Sequence, residues 1–289
     1  MIFKRAVLAL AMSVAIGAAM ASSVRAGQQQ LLFNGKDLAG WETWLWTPLP
    51  VSEVAGMERD AKGNYLKALG VNNDPLGVFK VETVDGAPAI HVSGEGFGTL
   101  TTLETFSNYR LSVQFKWGEK KFGAANRPRN GGILFHAHGS HGEVGGRWMN
   151  AHQYQVEEGG CGDYIGVGAV IADATAKAGE DKRWRYDAAG EIFSFRGNVK
   201  EAAKCLRGAG AEVAHGGWNT LEIYCVGDEI VQVLNGTVTA RLTKSRKENG
   251  EALTGGKIAL QIEAAEIYFR EITVEPLRAM PEALRVAGK

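Results

Sequence analysis

Three short alternating runs follow one another late in the chain with only two residues between them. Residues 220–226 alternate Leu221, Ile223 and Cys225 with Thr220, Glu222 and Tyr224. Gly227-Asp228 separates this run from residues 229–234, and Asn235-Gly236 separates those from residues 237–242. A period of two places successive side chains on opposite faces of a sheet. Asn-Gly and Gly-Asp are two-residue hairpin signals. A segment written this way is committed to antiparallel pairing. The same rhythm recurs at residues 78–84, closed by Asp85-Gly86, and at 89–93, 109–117, 133–138, 152–157, 256–262 and 265–274. Long helical patterns are scarce, and no repeat of solenoid or propeller period is present. The chain is therefore predicted to be all-β, a sandwich or a barrel.

Two stretches fit this rhythm poorly. Residues 169–204 mix glycine, charge and aromatics and read as a long insertion between strands. Its Trp184, Tyr186 and Phe193 suit either a lid over a ligand or anchors tying the insertion to the body. Residues 243–253 are charged and glycine-punctuated, and read as an exposed loop.

The N-terminal segment carries a different message. Lys4 and Arg5 precede an unbroken run of apolar and small residues from 6 to 21, and Val24-Arg25-Ala26 supplies a small-x-small cleavage site. This predicts a secretory signal peptide over residues 1–26, a domain over 27–276 and a tail over 277–289, in a periplasmic or secreted protein. The run is short for a membrane span, so no stable membrane insertion is expected after cleavage; an uncleaved anchor is the alternative. Loss of Lys4, Arg5 and Arg25 leaves 29 basic against 32 acidic residues. That surface gives no reason to expect a nucleic-acid partner. Three cysteines leave one over if a disulfide forms. Cys161 and Cys205 lie in loop-like sequence and are the favoured pair, whereas Cys225 reads as a small buried hydrophobe.

Chemistry concentrates between residues 130 and 163. Four of the six histidines lie there (His136, His138, His141 and His152), along with Gln153, Gln155, Glu157, Glu158 and Asp163. Imidazoles and carboxylates offer proton transfer near neutral pH and metal ligation. Gln153, Gln155 and Glu157 fall on one face of their strand, and Tyr154, Val156 and Glu158 on the other. Three polar side chains in a row do not face an apolar core. They face a polar cleft or solvent, and the flanking glycines with Trp148 favour the cleft. A bulge near Glu157-Glu158-Gly159 would redirect either carboxylate. His136 and His138, two apart on a strand, could share a divalent metal ion or form a hydrogen-bonded structural pair. Trp44 and Trp46 alternate, and suit either sugar stacking or the core.

Several blocks, in order, resemble the 3-keto-disaccharide hydrolase domain, also called domain of unknown function 1080. The opening Leu32-Phe33-Asn34-Gly35-Lys36-Asp37-Leu38-Ala39-Gly40-Trp41 is similar to that family's opening, and Phe106-Ser107-Asn108-Tyr109 follows in place. Asn130-Gly131-Gly132-Ile133 resembles its Asn-Ser-Gly-Ile strand, and Gln153-Tyr154-Gln155-Val156-Glu157-Glu158 with Gly162-Asp163-Tyr164 its central strand and turn. Gly217-Trp218-Asn219 and Phe269-Arg270-Glu271-Ile272 complete the series, so the resemblance spans about residues 31 to 275. It implies a concanavalin A-like jelly roll of two antiparallel sheets, the concave one holding a sugar, and an enzyme cleaving 3-keto-glycosides. The expected catalytic residues are Glu158, preferred from the family pattern, or His136 as the base, with Asp163 orienting the substrate. Asn130, Trp148, Gln153, Gln155 and Glu157 are expected to bind a carbohydrate substrate, while the spacing of His136 and His138, not the resemblance, is what allows a divalent metal ion there. Two positions depart from the family pattern: Gln153 stands where Glu is frequent, and His136 where Arg is frequent. An amide cannot act as a base, so a lectin-like glycan-binding module on the same fold is the alternative.

Overall fold

The computed structural model describes residues 28–285. The expected signal peptide lies outside the described residues. The strands, in chain order, are β1 (Gln30–Leu31), β2 (Trp41–Leu45), β3 (Gly70–Val71), β4 (Phe79–Val84), β5 (Ala87–Val92), β6 (Phe97–Thr102) and β7 (Phe106–Ser107). Then come β8 (Tyr109–Lys121), β9 (Asn130–His138), β10 (Asn150–Glu157), β11 (Tyr164–Val167), β12 (Val170–Ala178), β13 (Trp184–Tyr186) and β14 (Glu191–Arg196). The series ends with β15 (Lys204–Cys205), β16 (Asn219–Val226), β17 (Glu229–Leu234), β18 (Thr237–Lys247), β19 (Gly255–Glu263) and β20 (Ala265–Pro276).

Two antiparallel sheets form a jelly-roll sandwich. One runs β13-β12-β18-β17-β16-β8-β20-β5-β4, with β1 beside β20 and β14 beside β12. The other runs β15-β11-β10-β9-β19-β6-β2-β3, with β7 beside β19. Alternation decides which side chains lie between them. Along β8, Tyr109, Leu111, Val113 and Phe115 are buried while the residues between are partly exposed. They meet Ile133, Phe135, Tyr154 and Tyr164 from the other sheet in one core. The β17–β18 hairpin turns on Asn235 and Gly236, both at positive φ (46° and 81°). That is the conformation a tight two-residue hairpin requires.

The structure corrects four expectations. Residues 169–204 are mostly strand rather than a loop: β12 carries alanines inward (Ala172, Ala174, Ala176), a pattern too weakly apolar to stand out. Trp184 stacks on Phe193 at 4.3 Å against the main core, so these rings anchor the edge of the larger sheet. β18 continues through Lys247, into the segment read as a loop. Beyond Pro276 the chain packs rather than trails, since Met280 is buried against Val231 and Val233 and Arg241 donates to the Leu284 carbonyl. Finally, Cys161, Cys205 and Cys225 are all buried free thiols, so the Cys161–Cys205 pairing is not formed.

Candidate active site

The smaller sheet has a second face, turned away from the core, and register sets its chemistry in rows. Glu157 of β10 lies opposite Asn130 of β9, which lies opposite Glu263 of β19, which lies opposite Phe97 of β6. In the next row stand Gln155, Gly132, Gln261, Thr99 and Trp44. Gln153, Leu134, Ala259, Thr101 and Glu42 form the third. Trp148 packs over Leu134, Ala151 and Ala259 at the apolar end of this face. Gln153 and Gln155, only 4 % and 3 % exposed, need partners there because buried amides are costly unless hydrogen-bonded.

They find them in a chain. Gln153 Nε2 donates to Gln155 Oε1. Gln155 Nε2 donates to Asn130 Oδ1 at 2.7 Å and to Glu157 Oε2 at 3.2 Å. Asn130 Nδ2 donates in turn to Glu263 Oε2. The relay ends on two carboxylates, Gln155 donating to Glu157 and Asn130 to Glu263, so it fixes both glutamates. Gly132 makes room: a Cβ there would lie 2.6 Å from Gln261 Oε1 and 2.8 Å from Gln153 Nε2.

Glu263 has the most informative electrostatics. Burial pushes its carboxyl from 4.5 up to about 7; the Arg147 charge opposes this, Glu157 adds to it, and the Asn130 hydrogen bond opposes it. Near neutral pH such a group both holds and releases a proton, the property a general base or acid requires. One wall of the face is aromatic. The Trp44 ring stacks on His141 with centroids 5.7 Å apart. Arg147 lies over Trp46 and Phe97 at 4.0 and 4.3 Å.

The expected site residues therefore separate into groups. Asn130, Gln153, Gln155 and Glu157 come together on this face with Trp148 at one end, and they are the sugar-contact candidates. Glu158 does not join them. β10 ends at Glu157, and the Glu158 carboxylate turns to Arg129 Nη1 (3.0 Å) and His215 Nδ1 (2.9 Å). Burial resists its ionisation, but these hydrogen bonds outweigh burial and leave its pKa lowered, the reverse of what a base at neutral pH needs. It borders a separate cleft of about 410 Å³ with Trp117, Arg207, Glu212 and His215.

Asp163 is likewise elsewhere. It is 3 % exposed and accepts from the Arg207 backbone N–H at 2.9 Å while pairing with Lys204 at 2.8 Å. These contacts clasp β15 to the β10–β11 turn, a structural task.

His136 is the largest displacement. Its backbone stands at φ 50°, and the register of β9 slips beside it against both β10 and β19. This bulge turns the ring into the sandwich interior, fully buried among Tyr109, Phe135 and His152. Burial, with His138 adding, pulls its pKa down to about 4. His138 Nδ1 turns back on the His136 carbonyl at 3.0 Å, and His152 is engaged by Tyr164 and Ser245. No group of three or more His, Cys, Asp or Glu able to hold a metal is assembled among the described residues. With aromatic rings and no carboxylate around His136, this donor set does not fit a divalent ion.

Sequence reasoning missed Glu263, Gln261 and Arg147. The signal for the first two was present: Gln261 and Glu263 flank inward-facing Ile262, the same polar alternation that marked Gln153, Gln155 and Glu157.

The model of the 3-keto-alpha-glucoside-1,2-lyase-like domain family matches residues 28–275. The chain belongs to that family. No curated protein matches it. Among solved structures, this family member overlaps a candidate glycosyl hydrolase from Parabacteroides distasonis at 16 % identity, covering 87 % of this chain and 94 % of that one, TM-score 0.49. It overlaps a carbohydrate-binding module from Bacillus subtilis at 10 % identity, covering 68 % and 91 %, TM-score 0.40. Domain 4 of an extracellular arabinanase from Geobacillus stearothermophilus, in complex with arabinotriose, matches at 11 % identity over 69 % and 76 %, TM-score 0.34. Overlaps this loose carry no argument about activity. Membership of the family makes the chain a carbohydrate-active protein.

Proposed function

We propose that this protein is an exported enzyme that cleaves 3-keto-glucosides by elimination across C1 and C2, with Glu263 as the proton-transferring group. The observation that carries the reading is a carboxylate raised to about 7 and set in one row with a second carboxylate on a polar, aromatic-walled sheet face. A ketone at C3 acidifies the proton on C2. Ionised Glu263 takes that proton, and the C2–H electron pair becomes the C2–C3 double bond of an enolate with the charge on O3. When the carbonyl re-forms, the pair moves to C1–C2 and the C1–O bond to the aglycone breaks. The departing oxygen receives the proton that Glu263 now carries, which closes the balance as an enone and a free alcohol. Glu157 and the Gln153–Gln155–Asn130 relay hold the carboxylate and the sugar hydroxyls. Residues 1–26 would serve export, and N-terminal sequencing of the protein from its host tests that part.

The chemistry is tested by incubating the protein with a chromogenic 3-keto-glucoside and with its unoxidised parent. Release is expected from the oxidised sugar alone. Glu263→Gln should lower kcat about 10²–10⁴-fold, the usual loss of a general base, with sugar binding retained. Glu158→Gln should keep turnover, and if it lost turnover while Glu263→Gln kept it, the assignment of the base would be wrong.

The amide-rich composition of the face also favours a second reading, a glycan-binding module. It forecasts no release from either sugar, and loss of binding on Trp148→Ala.

A further inference from the structure

Arg147 is placed where a cation ought to collapse onto a carboxylate, and it does not. It sits at the end of the row that carries Glu157 and Glu263, next to Phe97 and to Trp46, whose backbone N–H donates to the Phe97 carbonyl. Its charge is felt at Glu263. Among the described residues, however, no carboxylate lies within 4 Å of its guanidinium to make an ion pair. Its Nε is buried without a hydrogen-bond partner. What holds it is aromatic: the guanidinium carbon lies 4.0 Å from the Trp46 ring centre and 4.3 Å from that of Phe97. The backbone before it is pressed onto the same ring, since a Cβ on Gly146 would stand 2.8 Å from Trp46 Nε1. A guanidinium fixed in this way keeps its donors pointed and unspent, at no cost of reorganisation when charge develops nearby.

We infer that Arg147 is the group that receives O3, selecting a ketone over a hydroxyl at that position and stabilising the enolate. This rests on the elimination reading above and adds to it the residue that distinguishes oxidised from unoxidised sugar. The match is one of donor and acceptor. A guanidinium only donates. A ketone oxygen only accepts, and its demand for donors grows as it becomes an enolate. The rest of the face offers acceptors, the two carboxylates and the unpartnered, buried Gln261 Oε1, which suit sugar hydroxyls, and its unpartnered donor Trp44 Nε1 is neutral and carries no charge to an enolate. A C3 hydroxyl at Arg147 would gain no comparable stabilisation, because no charge develops on it.

The test compares wild type, Arg147→Lys, Arg147→Met and Glu263→Gln, reading kcat and KM on the 3-keto-glucoside across pH. Loss of the C2 proton from the substrate in deuterated water is followed in parallel by NMR. Arg147→Met should lose about 10²–10³ in kcat, the range for one oxyanion donor, with KM little changed. Arg147→Lys should recover part of that loss. The acid limb of the pH profile should move to higher pH in Arg147→Met, because the cation that favours ionised Glu263 is gone. A merely structural anchor would lower the melting temperature and leave that limb in place. A kcat loss below roughly fivefold with the limb unmoved would overturn the inference. If Glu263→Gln loses turnover and Arg147→Met does not, this inference alone falls. If wild type neither releases aglycone nor exchanges the C2 proton, it falls together with the elimination reading.

Discussion

Replacing Glu263 by glutamine should stabilise the fold at alkaline pH and leave it unchanged in acid. The sign follows from linkage. In the unfolded chain this carboxyl ionises near 4.5; in the fold, burial holds its proton up to about 7. Below 4.5 both states are protonated and the site contributes nothing. Between 4.5 and 7 the folded state binds more protons, so stability falls as pH rises, and above 7 the whole penalty is present. A shift from 4.5 to about 7 would be worth roughly 3 kcal/mol at about 1.36 kcal/mol per unit. Glu263 is partly open to solvent, and screening reduces that figure to about 1–2 kcal/mol. Glutamine keeps an oxygen to accept from Asn130 and carries no charge. For a domain of this size the gain corresponds to a rise of about 2–8 °C in Tm. Thermal melts of wild type and Glu263→Gln at pH 4.5 and pH 8 measure it directly. Equal shifts at both values would mean that the proton on Glu263 is not what the fold perturbs.

Three further outcomes follow from particular contacts. Gly132→Ala should weaken sugar binding about tenfold or more while costing about 1–3 kcal/mol of stability, because its Cβ meets the end of Gln261 and both the amide and the Cγ of Gln153, which must shift out of the relay; calorimetric titration beside a melt separates the two effects. Asp163→Asn should cost about 1–3 kcal/mol in chemical denaturation, since Lys204 and the Arg207 N–H lose a buried charged acceptor, and should leave turnover per folded molecule unchanged. His136 is held neutral by burial to about 4 and so costs stability as pH drops from 6.5 toward 4, and melts across that interval should show His136→Phe gaining stability relative to wild type as pH falls.

The sandwich was legible because the strands that build it alternate strongly and end in turn residues of fixed conformation, as at Asn235-Gly236. β12 was not, because its inward residues are alanines, which bury little area and give a weak period. The polar face could be read along one strand, where Gln153, Gln155 and Glu157 alternate against Tyr154 and Val156. Its extension across strands could not, since register joins Glu157 to Glu263 through Asn130, over a hundred residues apart in sequence. Glu158 and His136 were misplaced by local irregularities that composition does not encode. β10 stops one residue short of Glu158, and β9 bulges at His136, whose positive φ turns an apparent site histidine into a core one.

That bulge and the polar face together give the smaller sheet two opposed titrations on its two sides. Inside, His136 resists a proton that the unfolded chain would take below 6.5. Outside, Glu263 keeps a proton that the unfolded chain would give up above 4.5. Over the shared interval the first makes stability rise with pH and the second makes it fall, so the two oppose each other in the wild type, and His152, whose pKa burial also lowers, adds to the first. Each substitution removes one slope and exposes the other. Relative to wild type, Glu263→Gln should gain stability as pH rises from about 4.5 to 7, and His136→Phe should gain it as pH falls from about 6.5 to 4. The two sites share a sheet but no hydrogen-bond partner, so the two single effects should add in the double variant. A double variant whose pH profile departed from the sum of the two single effects would show that the two groups are coupled through the sheet.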